Sequence, residues 1–197
     1  MKEDRERRII DAEMRVSRAE GEPPKITGYA AVFNSLSENL GGFREQIAPG
    51  AFSEAIGTDD VRALWNHNPD HILGRTKAKT LTLREDERGL AIEIIPPDTQ
   101  LARDLMTSME RGDVTQMSFA FSVKPNGQNW GTGADGEDVR TLTSVHLYDV
   151  SPVTYPAYTD TTVAVRNLQE WKQEKKEELP APDLGILRRR LELLEIE

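Results

Sequence analysis

The chain carries three histidines and no cysteine, so its options for nucleophilic chemistry are few. Without thiols, covalent catalysis needs a hydroxyl or a carboxylate, and hydrolysis could instead use a metal-bound water. The lack of cysteine also excludes disulfides and thiolate metal sites, and it fits a reducing compartment. The imidazoles that could act as a general base or a metal ligand are His67, His71 and His146.

His67 stands at the end of the short apolar segment 61–66, which is predicted to be a strand. A side chain at a strand end can enter a cleft, although a surface histidine in a turn is the simpler interpretation of this segment alone. His67 and His71 are four residues apart, a spacing that on a helix would direct both rings, with Asp70, at one metal ion. Pro69 disfavours helix at the residue before it, which argues against a metal site.

Ser118 lies in the middle of segment 114–123, whose side chains alternate in character as in a β-strand. Most serines in strands are solvated residues, and the pattern alone does not make Ser118 a nucleophile. Its face is small and polar, which leaves room above it for a substrate. That face holds Gln116, Ser118, Ala120 and Ser122, and the other holds Met117, Phe119, Phe121 and Val123.

Asp149 is unusual in the predicted strand 139–150 because strict alternation places it on one face with Val145 and Leu147. A carboxylate on an apolar face is costly unless it is paired or reaches water. Asp149 is therefore either a residue at the strand end or the buried partner of a cation such as an imidazolium. Alternation places His146 on the opposite face, so the two are not expected to serve one site.

Short extended segments dominate the middle of the chain, and one helix is well marked. The helix follows Asp98, which suits its N-cap, and ends near Gly112. These patterns favour an α+β fold, a mixed and mainly antiparallel β-barrel or curled sheet with surrounding helices. The predicted strands cover 26–33, 61–66, 80–84, 89–95, 114–123, 139–150 and 161–166, with a loop over 125–138.

Changes in composition divide the chain into three parts. Residues 1–24 form a predicted charged N-terminal tail, 25–166 a folded domain, and 167–197 a charged linker with a C-terminal amphipathic helix. That last helix carries Leu184, Leu187, Leu191 and Leu194, the spacing of a coiled-coil seam. Its short length predicts docking on a partner or on its own domain rather than independent stability.

The bulk composition excludes several partners. The formal net charge of −9 argues against binding to a nucleic acid backbone, which requires clustered lysine and arginine. The sequence shows neither a signal peptide nor an apolar run long enough for a membrane helix, so we expect an intracellular protein with no membrane partner. Nothing in the sequence indicates a cofactor or a resident metal ion.

Read together, several segments resemble the HK97-like prohead protease family of tailed phages. Any one is a weak match, but they occur in the family's order and cover nearly all of the predicted domain. They are residues 28–33, 43–52, 64–68, 73–75, 88–90, 111–112, 117–121 and 147–158. The resemblance implies a fold similar to the herpesvirus assembly proteases and a serine protease site.

By this resemblance the family's histidine falls on His67 and its serine on Ser118. The third member is usually a glutamate in a Leu-x-Glu-Val-Ser block, and Asp149 holds that position here. The shorter side chain keeps the charge but must come closer to the imidazole. Related assemblin-type enzymes use a second histidine, which makes His146 a secondary candidate.

The resemblance also implies a function and a location. The expected enzyme is a serine endopeptidase that cleaves the scaffold segment of the major capsid protein, and itself, during procapsid maturation. It would act inside the procapsid in the bacterial host cytoplasm, encoded by a virus or a prophage, and it could self-associate. The two terminal segments could hold it to the capsid or scaffold and be removed on activation.

Three other interpretations stay open at this point. A non-catalytic structural subunit, associated with capsid or scaffold, could retain the protease fold. A metal-dependent hydrolase could use His67, Asp70 and His71. A capsid-binding adaptor could act through its C-terminal helix. For the oxyanion, the sequence leaves Arg75 and the glycine-rich loop 131–136 as alternative donors.

Overall fold

The computed structural model describes residues 5–11, 13–155 and 162–178, and in them the fold is α+β with a majority of strands. The helices are α1 (Ser53–Thr58), α2 (Gln100–Glu110) and α3 (Thr162–Glu178). The strands are β1 (Glu6–Asp11), β2 (Arg15–Ser17), β3 (Lys25–Val32), β4 (Phe43–Ile47), β5 (Arg62–Trp65), β6 (Asn68–Arg75), β7 (Leu81–Glu85), β8 (Gly89–Ile94), β9 (Gln116–Val123), β10 (Gln128–Thr132), β11 (Asp138–Leu142) and β12 (Val145–Val153).

These strands form three sheets. The largest has the order β1-β9-β12-β5-β6, the second β2-β3-β8-β7 and the third β10-β11-β4. Pairing is antiparallel except between β12 and β5 and between β11 and β4. The α+β class and the mainly antiparallel pairing agree with the sequence prediction. The expected closed barrel is not seen in the described residues, because each sheet there ends in two edge strands instead of joining its ends.

The core lies beneath one face of β9. Met117, Phe119 and Phe121 are fully buried, as their alternation predicts. The Phe119 ring meets Phe52 edge-on at 5.6 Å between centroids, and Phe121 stacks on Phe119 at 5.1 Å. Aromatic pairs of this geometry add to the stabilisation from burial, so β9 is a fixed platform for the residues on its other face.

Helix α2 begins one residue later than the sequence suggests. Thr99 is its N-cap, and the Thr99 hydroxyl accepts a hydrogen bond from the Ala102 amide at 3.3 Å. Gly112 has a φ of 83°, the left-handed conformation expected just beyond a helix. The predicted loop 125–138 is also corrected, since β10 pairs with β11 as a hairpin over this region.

The N-terminal segment is not simply a tail. Strand β1 pairs antiparallel with β9 along its whole length, and β2 pairs with β3. The prediction of a separate charged tail over 1–24 is therefore wrong for residues 6–11 and 15–17. This segment belongs to the folded part of the protein because some of its charged residues are buried. They form an ion-pair network with distant parts of the chain.

That network contains two arginines and two glutamates, all almost fully buried. Arg140 Nη1 lies 2.7 Å from Glu6 Oε2 and 2.9 Å from Glu45 Oε2, and Arg8 Nε lies 2.7 Å from Glu45 Oε1. Burial alone lowers the pKa of Arg8, but the charges of Glu45 and Glu6 outweigh it and leave that pKa raised. The network ties β1 to β4 and β11 through charges that satisfy one another.

Replacing Arg140 with Met is expected to destabilise the protein by about 3–5 kcal/mol, because Glu6 and Glu45 would lose a shared buried cation. Urea unfolding followed by circular dichroism measures the change. Arg18→Met is the matched control, since Arg18 pairs with Glu110 while half exposed. The control should change the free energy of unfolding by less than about 1 kcal/mol. Equal effects of the two changes would contradict a stabilising role for the buried network.

Near the C-terminus the chain divides into two units, the first ending at Val165 and the second beginning at Arg166. Residues 162–166, predicted as a strand, belong to α3, and this helix also contains most of the predicted charged linker. Within the second unit the Lys175 ammonium lies 4.8 Å from the Trp171 ring centroid. The leucine-rich helix predicted over 184–194 lies outside the described residues. Among the described helices, none is long and apolar enough to cross a membrane.

Candidate active site

Ser118 lies in the centre of the largest sheet, on a strand paired on both sides. Within β9 it is opposite Ile9 of β1 and Ser151 of β12. Directly opposed residues in a sheet project to the same face, so these three side chains share the face turned away from the buried aromatic residues. The exposed fraction of Ser118 is zero. Its hydroxyl is therefore held in a dry and rigid setting.

His67 reaches this face from the turn between β5 and β6. Trp65 pairs with Asn68, and the two residues between them, Asn66 and His67, have φ angles of 56° and 55°. Two successive positive φ angles are typical of a type I′ turn, the tight connection that matches strand twist. The turn directs the imidazole back over the sheet, where His67 Nε2 lies 2.7 Å from Ser118 Oγ.

The position of this turn is fixed by Asn66. Its side-chain oxygen accepts a hydrogen bond from the Thr154 amide at 2.8 Å, and its Nδ2 donates to the Thr154 hydroxyl at 3.1 Å. The Asn66 amide also donates to the Pro152 carbonyl at 3.0 Å. These bonds join the β5–β6 turn to the end of β12, the strand that supplies Asp149.

Asp149 reaches the same face through a β-bulge. Leu147 is opposite Phe121, whereas Asp149 is opposite Ala120, so Tyr148 is the extra residue. A bulge reverses the facing of the residues that follow it, and Asp149 therefore lies with Ser118 rather than with Leu147. This corrects the face expected from strict alternation. Asp149 Oδ1 lies 2.5 Å from His67 Nδ1.

Ser151 is a fourth member of the cluster that the sequence reasoning did not single out. It is fully buried, and its hydroxyl donates to Asp149 Oδ1 at 2.7 Å, the same oxygen that faces His67. The only sequence signal for Ser151 is its position two residues after Asp149, which places both side chains on one face of the strand. That face is known to be the catalytic one only once the bulge is known. Ser151 limits the rotation of the carboxylate.

The other histidines lie outside this cluster. The His146 ring is 48% exposed and its Nδ1 lies 3.3 Å from Asp59 Oδ1, so it contacts neither Ser118 nor His67. The His71 ring lies 5.8 Å from the Trp65 ring, between centroids. Both nitrogens of His67 already have partners. No group of three acidic or imidazole side chains in the described part of the chain is arranged to hold a metal ion.

Neither suggested oxyanion donor contacts Ser118 or His67 among the described contacts. Arg75 Nε donates to Asp60 Oδ1 at 2.8 Å, and this hydrogen bond holds the pKa of Asp60 down at about 2, with Arg62 and Lys77 adding to the effect. Nε and Nη2 of its guanidinium thus bind a carboxylate, while the side chain as a whole stays 39% exposed. Residues 131–136 cover the end of β10 and most of the turn that leads to β11, and both strands belong to a different sheet from Ser118.

The three side chains form one continuous hydrogen-bonded chain, from the Ser118 hydroxyl through the His67 imidazole to the Asp149 carboxylate. The side chains of His67 and Asp149 are 3% and 11% exposed, so water competes little for either bond. A carboxylate at Nδ1 favours the tautomer that carries its proton there and leaves Nε2 free to accept one. Such an arrangement can activate a hydroxyl for attack on an acyl group.

The chain is similar to known proteins over most of its length. A model of the caudovirus prohead serine protease family matches residues 11–176. The prohead protease of Enterobacteria phage HK97 is 27% identical, over 86% of this chain and 76% of its own length. The bacteriophage T4 capsid assembly protease superposes with a TM-score of 0.42 at 10% identity, over 76% of this chain and 99% of that chain. The chain belongs to the caudovirus prohead serine protease family.

Proposed function

We propose that this prohead protease is a serine endopeptidase with Ser118 as nucleophile, His67 as general base and Asp149 as the residue that orients it. The observation that carries the proposal is the unbroken chain of contacts, 2.7 Å from Ser118 to His67 and 2.5 Å from His67 to Asp149. A structural subunit has no need of these three groups at hydrogen-bonding distance in a buried site.

The proposed reaction proceeds in two halves. His67 Nε2 takes the proton from Ser118 Oγ as the oxygen attacks the peptide carbonyl, and the resulting imidazolium is stabilised by Asp149. The imidazolium then gives that proton to the leaving amine, which leaves an acyl group on Ser118. In the second half His67 deprotonates a water, whose attack releases the new carboxyl end and restores the serine.

Substrate access requires a movement, because Ser118 is fully buried. A peptide must displace the side chains that cover the hydroxyl before its carbonyl can reach Oγ. The same burial keeps bulk water away from the catalytic hydrogen bonds and strengthens them. Cleavage is therefore expected to be slow for short peptides that bind weakly, and faster for a protein substrate with a larger docking surface.

The proposed substrates follow from the family. We infer that the enzyme cleaves the scaffold segment of the major capsid protein, and its own chain, inside the procapsid within the host cytoplasm. Self-association and the tethering of the enzyme through its terminal segments are part of the same proposal. The division of the chain into a catalytic part, which includes β1 and β2 and ends near residue 166, and a distinct C-terminal part, 167–197, belongs to it as well.

The proposal is tested by incubating the full chain with its capsid protein and following both by intact-mass spectrometry. Defined fragments that form equally with and without a chelator support a metal-independent endopeptidase. A variant lacking residues 180–197 should still cleave, whereas an adaptor acting through its C-terminal helix would lose its effect. If the capsid assembles and neither protein is cut, the structural-subunit alternative replaces the proposal.

Ser151→Ala is expected to lower kcat about tenfold with little change in KM, because Asp149 loses a hydrogen bond that fixes its carboxylate. Steady-state cleavage of the capsid protein measures both constants. Ser151→Thr keeps the hydroxyl and should restore most of kcat. A rise in KM alone, or equal losses in the Ala and Thr variants, would show that Ser151 acts through packing rather than through Asp149.

A further inference from the structure

A row of arginines crosses the catalytic face beside the reactive residues. On one side, Arg7 of β1 is opposite Ala120 of β9, which is opposite Asp149 of β12. On the other side, Asp149 is beside Arg62 of β5, which is opposite Arg75 of β6. Residues at the same level of neighbouring strands share a face, and neighbouring strands are about 4.8 Å apart. The backbone of Arg62 thus lies roughly 5 Å from that of Asp149 on one side, and the backbone of Arg7 lies roughly 10 Å from it on the other.

The carboxylates near this row are already engaged. Asp60 accepts hydrogen bonds from Arg62 and Arg75, and its pKa of about 2 keeps it ionised at any pH at which the enzyme would work. Asp59 accepts a hydrogen bond from the Leu147 amide at 2.9 Å and contacts His146. Asp149 contacts His67. Each of these anions therefore has a fixed partner within the protein.

The cations of the row are more numerous and partly free to meet a ligand. The Arg62 and Arg75 side chains are 42% and 39% exposed although both contact Asp60. Lys77, 69% exposed, lies 3.7 Å from the same carboxylate. Arg7 is exposed, and no residue in the described part of the chain forms an ion pair with it. A local excess of positive charge thus flanks the site in a chain whose net charge is −9.

We propose that this row, Arg7, Arg62 and Arg75, binds acidic side chains of the protein substrate beside the scissile bond. The inference rests on the proposed function and adds a substrate class to it, namely acidic peptide segments. Ala120, the residue between Arg7 and Asp149, is only 2% exposed, so an extended chain reaches the floor of the row through the same movement that uncovers Ser118. Charges at the rim of an interface act chiefly on docking and on its salt dependence.

The test uses the full chain carrying Ser118→Ala and a fluorescent decaglutamate peptide, with binding followed by anisotropy. Arg7→Gln and Arg62→Gln should each weaken binding about two- to fivefold, the range for single exposed charges. Arg111→Gln is the matched control, since Arg111 is 72% exposed and pairs with Asp113 away from this row. Binding should also weaken as salt is raised, because the charges are exposed to solvent.

Further variants keep the outcome decisive. Arg62→Lys retains the charge and should bind the peptide nearly as well as the parent, which separates charge from folding. Equal binding by all variants, or tighter binding of a single-stranded thymidine decamer than of decaglutamate, would overturn the proposal. Binding is measured on Ser118→Ala, which does not depend on cleavage. A failure of the peptide to bind would therefore count against the arginine row and not against the proposed cleavage. Failure of the wild type to cut its capsid protein would instead count against the proposed function alone.

Discussion

Ser118→Ala is expected to lower kcat for cleavage of the capsid protein by about 10⁶-fold, because no other hydroxyl lies within reach of His67 Nε2 among the described contacts. The loss should appear in kcat and not in KM, since the hydroxyl acts on the reacting carbonyl and not on docking. The change removes one buried oxygen from a fixed strand, so folding should be retained. Quantitative fragment analysis by mass spectrometry measures the rate over this range.

The matched control for this substitution lies on the same strand and face. Ser122→Ala removes a hydroxyl that contacts the Tyr148 hydroxyl at 2.8 Å and takes no part in the catalytic chain. It should cleave at close to the wild-type rate. Residual cleavage by Ser118→Ala at more than about a hundredth of the wild-type rate would mean that another group is the nucleophile.

Asp149→Asn is expected to lower kcat by about 10⁴-fold with the fold intact. An amide at this position can donate to His67 Nδ1, which drives the imidazole to the tautomer that carries its proton on Nε2. That nitrogen then cannot accept the proton of Ser118. Cleavage kinetics and a thermal unfolding curve, measured on the same preparation, separate the chemical effect from any loss of stability.

Asp149→Glu tests whether distance or charge matters at this position. The longer side chain keeps the carboxylate but must fit where the oxygen now lies 2.5 Å from His67 Nδ1 and 2.7 Å from Ser151 Oγ. We expect activity between that of the wild type and that of Asp149→Asn. His146→Ala should be close to wild type, since His146 contacts Asp59 instead. A larger loss for His146→Ala than for Asp149→Asn would reverse the assignment of the third residue.

The alternation of side chains predicted β9 well because both of its faces obey one local rule. Met117, Phe119 and Phe121 are buried in the core, and Ser118 lies on the other face, as the period of two requires. The same rule gave the wrong face for Asp149, since a bulge at Tyr148 adds a residue to β12. Nothing in the local pattern marks a bulge. It becomes visible only through the pairing with β9.

The N-terminal prediction was wrong for a related reason. Glu6 and Arg8 look like solvated charges in sequence, but their partners Glu45 and Arg140 are far along the chain. Burial of a charge is tolerated when another charge pairs with it, and local composition cannot show a partner so distant. The turn that carries His67 was easier to predict from the sequence, because His67 follows directly on a predicted strand. Its hydrogen bonds to Thr154 could be seen only in the structure.

The arginine row could not have been found from sequence spacing. Arg7, Arg62 and Arg75 belong to three strands, and only their registers with β9 and β12 bring them to one level. The net charge of −9 argues against binding to a nucleic acid backbone, but it does not exclude a local basic groove. Total charge is thus a poor guide to one face of a protein, because Arg62, Arg75 and Lys77 share the single carboxylate of Asp60 there although acidic residues outnumber basic ones in the whole chain.

Labelling by a serine-directed organophosphate most directly tests the claim that Ser118 is an activated nucleophile. The full-length wild type and the Ser118→Ala and His67→Ala variants would be treated with diisopropyl fluorophosphate, and the modified residue mapped by peptide mass spectrometry. One phosphoryl adduct, on Ser118, is expected in the wild type and none in either variant. An adduct on another residue at the wild-type rate, or equal labelling of Ser118 without His67, would contradict the claim.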